Sequence, residues 1–202
     1  MPSLQSSWHR TWAKLGLPAP ADLHERLVAA YSEPHRHYHG LQHLEECLGH
    51  FEASMGQAQQ AGEVELALWF HDAIYDLKGQ DNERRSADWA RQALAAAGAS
   101  AQMLARVDGL IMATRHAAQP IEPDQQLLVD IDLAILGAPP TRFAQYDLQV
   151  RAEYSWVPGF VYRFKRKAVL KGFLARPSIY NTPDFVARFE GQARINLKAA
   201  VR

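Results

Sequence analysis

The spacing of apolar residues along the chain is that of α-helices almost throughout. Leu23, Leu27 and Tyr31, for example, recur at intervals of four residues, which places them on one helical face. No alternating apolar run is flanked by an Asn-Gly or Asp-Gly turn, so the pattern predicts no β-hairpin. Glycine and proline breaks divide the chain into ten predicted helices, near residues 4–15, 22–33, 40–53, 63–75, 83–97, 101–115, 123–136, 139–156, 159–175 and 183–202.

The predicted fourth helix, which contains VELALWFHDAIY, is apolar on nearly all sides and should therefore lie at the centre of the fold. A chain of 202 residues with 48% apolar residues can bury a substantial core. Together these features predict one all-α domain, 1–202, with a helical core over about 24–140 and a helical C-terminal part over about 141–202.

Cysteine content and the lengths of the apolar runs restrict where the protein works. The single cysteine, Cys47, excludes an intramolecular disulfide, which fits a reducing compartment. No run approaches the roughly 20 apolar residues of a membrane span. We therefore expect a cytoplasmic protein with no membrane partner.

Charge is balanced overall but divided unevenly along the chain. The sequence has 22 basic and 22 acidic residues, which argues against a nucleic-acid partner. Residues 141–202 nevertheless carry 12 basic and 4 acidic residues, a net charge of +8, and the rest of the chain carries −8. The acidic part can supply ligands to a cation and the basic part can face an anion. Alternatively, both are solvated surfaces.

Candidate metal ligands occur in three separate apolar segments. Four histidines fall within residues 35–43, and a helix that includes His39 and His43 would put both on one face. The pair His71-Asp72 lies in the most apolar segment, and the motif Asp130-Ile-Asp132 lies in LLVDIDLAIL. A carboxylate in such surroundings is costly unless it is paired or binds a metal ion.

A shared metal site would explain all three segments. Two imidazoles and two carboxylates neutralise a divalent ion, and mixed nitrogen and oxygen ligands suit Mn, Fe, Co, Ni or Zn better than Mg. Water bound to such an ion has a pKa lowered to roughly 7 in favourable cases. The alternative is that each histidine is a hydrogen-bonded core residue and each aspartate is a helix cap or pairs with an arginine.

The order His43, His71-Asp72, Asp132 resembles the HD-domain superfamily of metal-dependent phosphohydrolases. The segments YHGLQHLEECL, ALWFHDAIYD, DNERRSA, DIDLAILG and VLKGFLARPSIYNT are similar to a bacterial branch of that superfamily, and the resemblance spans nearly the whole chain. It implies that His43, His71, Asp72 and Asp132 are the metal ligands, with Asp130 as the alternate to Asp132. His39 departs from the family pattern and is a fifth ligand, an outer-sphere or substrate-binding group, or a structural residue.

Other polar residues are candidates for catalysis and substrate binding. Asp76 lies one turn after Asp72 and can orient or deprotonate the attacking water, although Tyr75 replaces an acid found in related nucleotide hydrolases. Glu83 either reaches the water or stabilises the first turn of a helix. The candidate substrate contacts are His39, His116, Arg151 and Arg166; most of the other basic C-terminal residues should be solvated.

The resemblance and the candidate ligands together predict a hydrolase that cleaves a phosphate ester or anhydride of a small molecule, with a nucleotide as our first candidate. One alternative is a metal-stabilised nucleotide-binding module, suggested by Tyr75. Another is a di-iron oxygenase in which His39 and His116 serve a second ion. Cys47 lies on an apolar stripe, where a thiol is usually inert.

Overall fold

Every regular element that the computed structural model assigns between residues 3 and 202, the part of the chain that it describes, is helical. The predicted all-α class is confirmed. The α-helices are α1 (Leu4–Leu15), α2 (Leu23–Tyr31), α3 (Leu41–Ser54), α4 (Ala61–Phe70), α5 (Asn82–Ala96), α6 (Ala101–Ala113), α7 (Pro123–Asp132), α8 (Pro140–Glu153) and α9 (Gly159–Leu174). Helix α10 is continuous through an α-helical turn (Pro183–Phe185), a π-helical turn (Val186–Glu190) and a final α-helical stretch (Gly191–Ala200). Short 3₁₀ turns, Met55–Gln57 and Leu133–Gly137, follow α3 and α7.

Local chemistry explains where several helices begin and end. The Ser3 hydroxyl accepts the Ser6 N–H at 3.1 Å at the start of α1, and Ser100 caps α6 in the same way at 3.3 Å. Helix α1 stops at Gly16, whose φ of 66° lies in the left-handed region that glycine adopts at little cost. No helix among residues 3–202 is both long enough and apolar enough to cross a bilayer.

The chain contacts fall into two compact units, Met1–Ile131 and Asp132–Arg202. In the first unit, α4 packs against α1, α3, α5 and α6. All residues of α4 from Gly62 to Phe70 are buried, as its nearly uniform apolar sequence predicts. The central position predicted for this helix is confirmed.

Two glutamates are buried in α4, and both are paired with arginines. The Glu65 carboxylate accepts hydrogen bonds from the Ser7 hydroxyl at 2.7 Å and from the Arg10 guanidinium at 2.5 Å. The Glu63 carboxylate accepts two hydrogen bonds from Arg106, at 2.6 and 2.8 Å. These partners compensate for the loss of hydration of the two acids.

In the second unit, α10 packs against α9 and against the 3₁₀ turn Leu133–Gly137. The Asn196 amide donates to the carbonyls of Leu136 and Ala138 at 2.9 and 2.8 Å, and so ties α10 to this turn. A side chain at Gly137 would lie 2.7 Å from backbone and side-chain atoms of Phe189, so the close approach requires glycine.

The main departure from the sequence prediction is the end of α4, which stops at Phe70 instead of continuing to residue 75. Past this point the N–H groups of His71 and Ala73 still donate to backbone carbonyls of α4, but those of Asp72 and Ile74 bind side chains of other helices. The Asp72 N–H donates to the Tyr31 hydroxyl at 3.3 Å, and the Ile74 N–H donates to the Ser86 hydroxyl at 3.0 Å. The pair His71-Asp72 therefore lies just beyond a helix end, and not inside the helix as predicted.

Candidate metal centre

Three potential metal-ligand atoms lie close together in the first unit, where α3 passes the end of α4. His43 Nε2 and His71 Nε2 are 3.1 Å apart, and Asp72 Oδ2 lies 3.1 Å from His71 Nε2 and 3.5 Å from His43 Nε2. Atoms bound at 2.0–2.2 Å to one ion are separated by about 3 Å in an octahedral site and about 3.4 Å in a tetrahedral one. The three separations thus match those of neighbouring ligands of a single cation.

Hydrogen bonding sets the tautomer of His71. Its Nδ1 lies 2.8 Å from the Leu68 carbonyl oxygen, which only accepts hydrogen bonds, so Nδ1 carries the proton. In the neutral ring, Nε2 is then left with a lone pair that faces His43 and Asp72. A metal-binding histidine typically fixes its second nitrogen by such a bond to a carbonyl.

The electrostatics around Asp72 favour a charged carboxylate. Burial by itself would raise its pKa, but protonated imidazoles lower the pKa well below its ordinary value, His71 through its charge and its hydrogen bond and His39 and His43 through their charges. The side chain of Asp72 remains 18% exposed, whereas those of His43 and His71 are 2% and 1% exposed. Asp72 therefore lies at the accessible edge of a buried imidazole pair.

Two further residues belong to the same cluster of potential ligands. Ligand atoms of His43, Cys47, His71 and Asp132 all lie within 4.8 Å of one another, so this group can hold a metal ion. Asp132 is the last residue of α7, and it joins the group in preference to the alternate Asp130, which is fully buried. Cys47 Sγ is 3.7 Å from both ring nitrogens of His43, one turn earlier in α3. The spacing of four residues between His43 and Cys47 makes such a pair possible, but a ligand role for Cys47 was not predicted, because a thiol on an apolar stripe is usually inert.

The helical pairing of His39 with His43, which required a helix that includes both residues, does not occur. Helix α3 begins at Leu41 with Gly40 as its N-cap, so His39 precedes the helix. Its ring stacks on Tyr75, with centroids 4.2 Å apart and planes at 26°, and lies 6.0 Å from the His43 ring. His39 is thus close to the centre but is held by a loop and an aromatic neighbour.

The two candidate proton-transfer residues lie in the next turn and helix. Asp76 is exposed, and its Oδ1 accepts the Lys78 N–H at 2.9 Å, which stabilises the turn. Asn82 joins this turn to α5, since its side chain accepts from the Asp76 N–H and donates to the Asp76 carbonyl. Glu83 is half-buried in the first turn of α5. A catalytic role for either residue stays a prediction.

The candidate substrate contacts have well-defined local partners. Arg166 donates to Asp147 at 3.2 Å and lies over the Tyr146 ring, with its Cζ 4.7 Å from the centroid. Arg151 donates to the carbonyls of Tyr154 and Val157, which gives it a structural role in the turn after α8. His116 is half-buried beyond the end of α6, with a left-handed φ of 53°. Substrate binding by these residues and by His39 remains a prediction.

Comparisons of this chain with protein-family models, with curated proteins and with solved structures give no match.

Proposed function

We propose that this chain is a metal-dependent phosphohydrolase of the HD-domain superfamily that cleaves a phosphate ester or anhydride of a small molecule. The observation that carries the proposal is the convergence of His43 Nε2, His71 Nε2 and Asp72 Oδ2 at 3.1–3.5 Å. The three atoms are potential ligands, and one divalent cation between them would satisfy all three at once. The five sequence segments that resemble the superfamily supply the phosphohydrolase part of the proposal.

The donor set fits a divalent ion of the Mn, Fe, Co, Ni or Zn type. His43, His71 and Asp72 would hold it, with the Asp132 carboxylate as the fourth ligand. When bound, such an ion polarises a phosphoryl oxygen and lowers the pKa of water at the site. Two carboxylates then balance its charge, which favours retention of the ion in a buried site.

The remaining roles follow from exposure and hydrogen bonding. Asp72 lies at the accessible edge of the pair of imidazoles, so the substrate would approach from its side. Asp76 uses one carboxylate oxygen in its turn, which leaves the second oxygen available to accept a proton from water. Glu83, half-buried in the first turn of α5, is the alternative proton acceptor. A nucleotide remains our first candidate for the substrate.

The test is a metal-reconstitution assay. Protein stripped with a chelator is reloaded with Mg, Mn, Fe, Co, Ni or Zn and assayed with p-nitrophenyl phosphate and with a panel of nucleotides. We expect phosphate release that depends on the metal. His71→Ala should lower metal affinity by roughly 100-fold or more, since even loss of a residue that merely supports a ligand costs about 10–100-fold.

His9→Ala is the matched control, because His9 is an exposed histidine of α1. It should leave both affinity and turnover unchanged. Folded wild-type protein that binds a stoichiometric metal ion but releases no phosphate from any substrate would contradict the enzymatic proposal. Protein that binds none of the six ions would contradict the metal centre itself.

A further inference from the structure

We infer that Arg36 is a positioning residue of the metal centre: its guanidinium fixes the two loops that carry Asp72 and His39. The inference rests on the proposed function, because it assigns a role to Arg36 through the ligands of that centre. Arg36 lies between α2 and α3, and its side chain is only 1% exposed. A charged side chain buried to this extent requires a complete set of partners.

The partners of Arg36 are mostly backbone carbonyls beside the candidate ligands. Nη1 donates to the carbonyls of Asp72 at 2.5 Å and of His39 at 3.1 Å, and Nη2 donates to the carbonyl of Ala73 at 2.9 Å. Nε donates to the Glu33 carboxylate at 2.9 Å, which supplies the balancing charge. One guanidinium therefore joins the loop before α3 to the segment after α4.

These contacts occur where the helix no longer constrains the backbone. Helix α4 ends at Phe70, so the carbonyls of Asp72 and Ala73 have no helical N–H partner one turn further on. A cation at a helix C-terminus also interacts favourably with the helix dipole. Arg36 thus replaces the missing backbone partners and holds Asp72 in the orientation that brings its carboxylate to the two imidazoles.

Aromatic rings enclose the guanidinium and extend its effect. Its Cζ lies 5.3 Å from the Tyr31 ring centroid and 5.6 Å from that of Tyr75. Tyr31 accepts the Asp72 N–H, and Tyr75 stacks on His39. Each ring therefore connects the guanidinium to a residue of the candidate centre, Tyr31 to Asp72 and Tyr75 to His39. A planar, forked group is needed to reach three carbonyls at once.

The experiment compares cobalt binding and protein stability in the full-length chain. Wild type, Arg36→Gln and Arg36→Lys are stripped of metal, and Co(II) affinity is measured by competition with a chromophoric chelator. The Co(II) absorption spectrum and the urea midpoint of the metal-free protein are recorded as well. We expect Arg36→Gln to weaken Co(II) binding about 10–100-fold and to alter the spectrum. Arg36→Lys should recover part of the affinity, because the charge is kept and the fork is lost.

Arg10→Gln is the matched control, because Arg10 is also a largely buried arginine of the first unit but pairs with Glu65, away from the centre. It should lower the urea midpoint while leaving cobalt affinity and spectrum as in wild type. Wild-type affinity and spectrum in Arg36→Gln would overturn the inference. So would an affinity loss in Arg10→Gln that equals the loss in Arg36→Gln at a similar urea midpoint. Wild-type protein that binds no cobalt would overturn the proposed metal centre together with this inference, whereas unaltered binding in Arg36→Gln would leave the centre standing.

Discussion

Two acids, one in the first half of the central helix α4 and one just beyond its end, are compensated in different ways. In the first half of α4, Glu65 is fully buried and is neutralised by the guanidinium of Arg10. Beyond its end, Asp72 faces the imidazoles of His43 and His71 at 3.5 and 3.1 Å. Arg36 is also near Asp72, but it binds the backbone carbonyl and leaves the carboxylate to the imidazoles.

The difference separates a structural ion pair from a candidate metal site. An arginine carries a permanent charge and five donors, so it satisfies a carboxylate without any further ligand. Imidazoles carry one donor each when neutral, and here the donor of His71 is already used by the Leu68 carbonyl. The acid at the end of α4 thus lacks a permanent counter-charge on its carboxylate, and a bound cation would supply it.

The largest effect that we predict follows from removal of the Arg10 guanidinium, which is the counter-charge of Glu65. Arg10→Ala should lower the free energy of unfolding by about 3–5 kcal/mol, because Glu65 is left buried and unpaired. Metal affinity should stay at the wild-type value, since the two ends of α4 are neutralised independently. Urea unfolding of the metal-free protein and chelator competition measure the two quantities. The double variant Arg10→Met with Glu65→Leu should regain most of the loss, and a loss well under 1 kcal/mol in Arg10→Ala would show that water reaches Glu65.

The next largest effect concerns the candidate metal centre and distinguishes the two aspartates of α7. Asp132→Asn should weaken metal binding roughly 10–100-fold, because it removes one of the two carboxylate charges that balance the ion. Asp130→Asn keeps the side-chain volume of a residue outside the potential ligand group and should leave metal affinity unchanged. Calorimetric titration with Zn(II) checks both variants. The reverse pattern would make Asp130 the distal ligand and would remove Asp132 from the centre.

Much of this fold follows from local patterns that the sequence displays. The apolar character of α4 predicts its central position, and glycine and proline predict the helix boundaries at residues such as Gly16. The spacing of apolar residues also reveals which segments carry polar groups into the core. The convergence of His43, His71 and Asp72 follows less directly, because it depends on the resemblance as much as on the spacing.

What the sequence did not predict depends on contacts between residues far apart in the chain. Arg36 appears in the sequence as one basic residue among histidines, and only the fold brings it to the carbonyls of Asp72 and Ala73. The early end of α4 likewise requires the hydroxyls of Tyr31 and Ser86 to reach its backbone donors. The spacing of apolar residues cannot predict such partners, because it shows which face of a helix is buried but not which residues contact that face.

The smallest predicted effect uses Asp108, an acid that is paired with arginines but lies nearer the surface than Glu65. Hydrogen bonds from Arg84 lower the pKa of Asp108; burial opposes this shift, and Arg91 adds to the lowering. Because the folded-state pKa is depressed, its stabilisation is fully present above the unfolded pKa of about 4 and is lost as the pH falls through the folded-state value. Asp108→Asn should therefore cost about 1 kcal/mol near pH 7, since the side chain is 22% exposed, and progressively less below about pH 4. Urea unfolding of wild type and variant across that range checks this, with Asp88→Asn as control, because Asp88 is more exposed at 48% and should show a smaller difference at every pH. A cost for Asp108→Asn that did not shrink in acid would mean that its pairing with arginine does not depend on its charge, and would weaken the distinction between the two ends of α4.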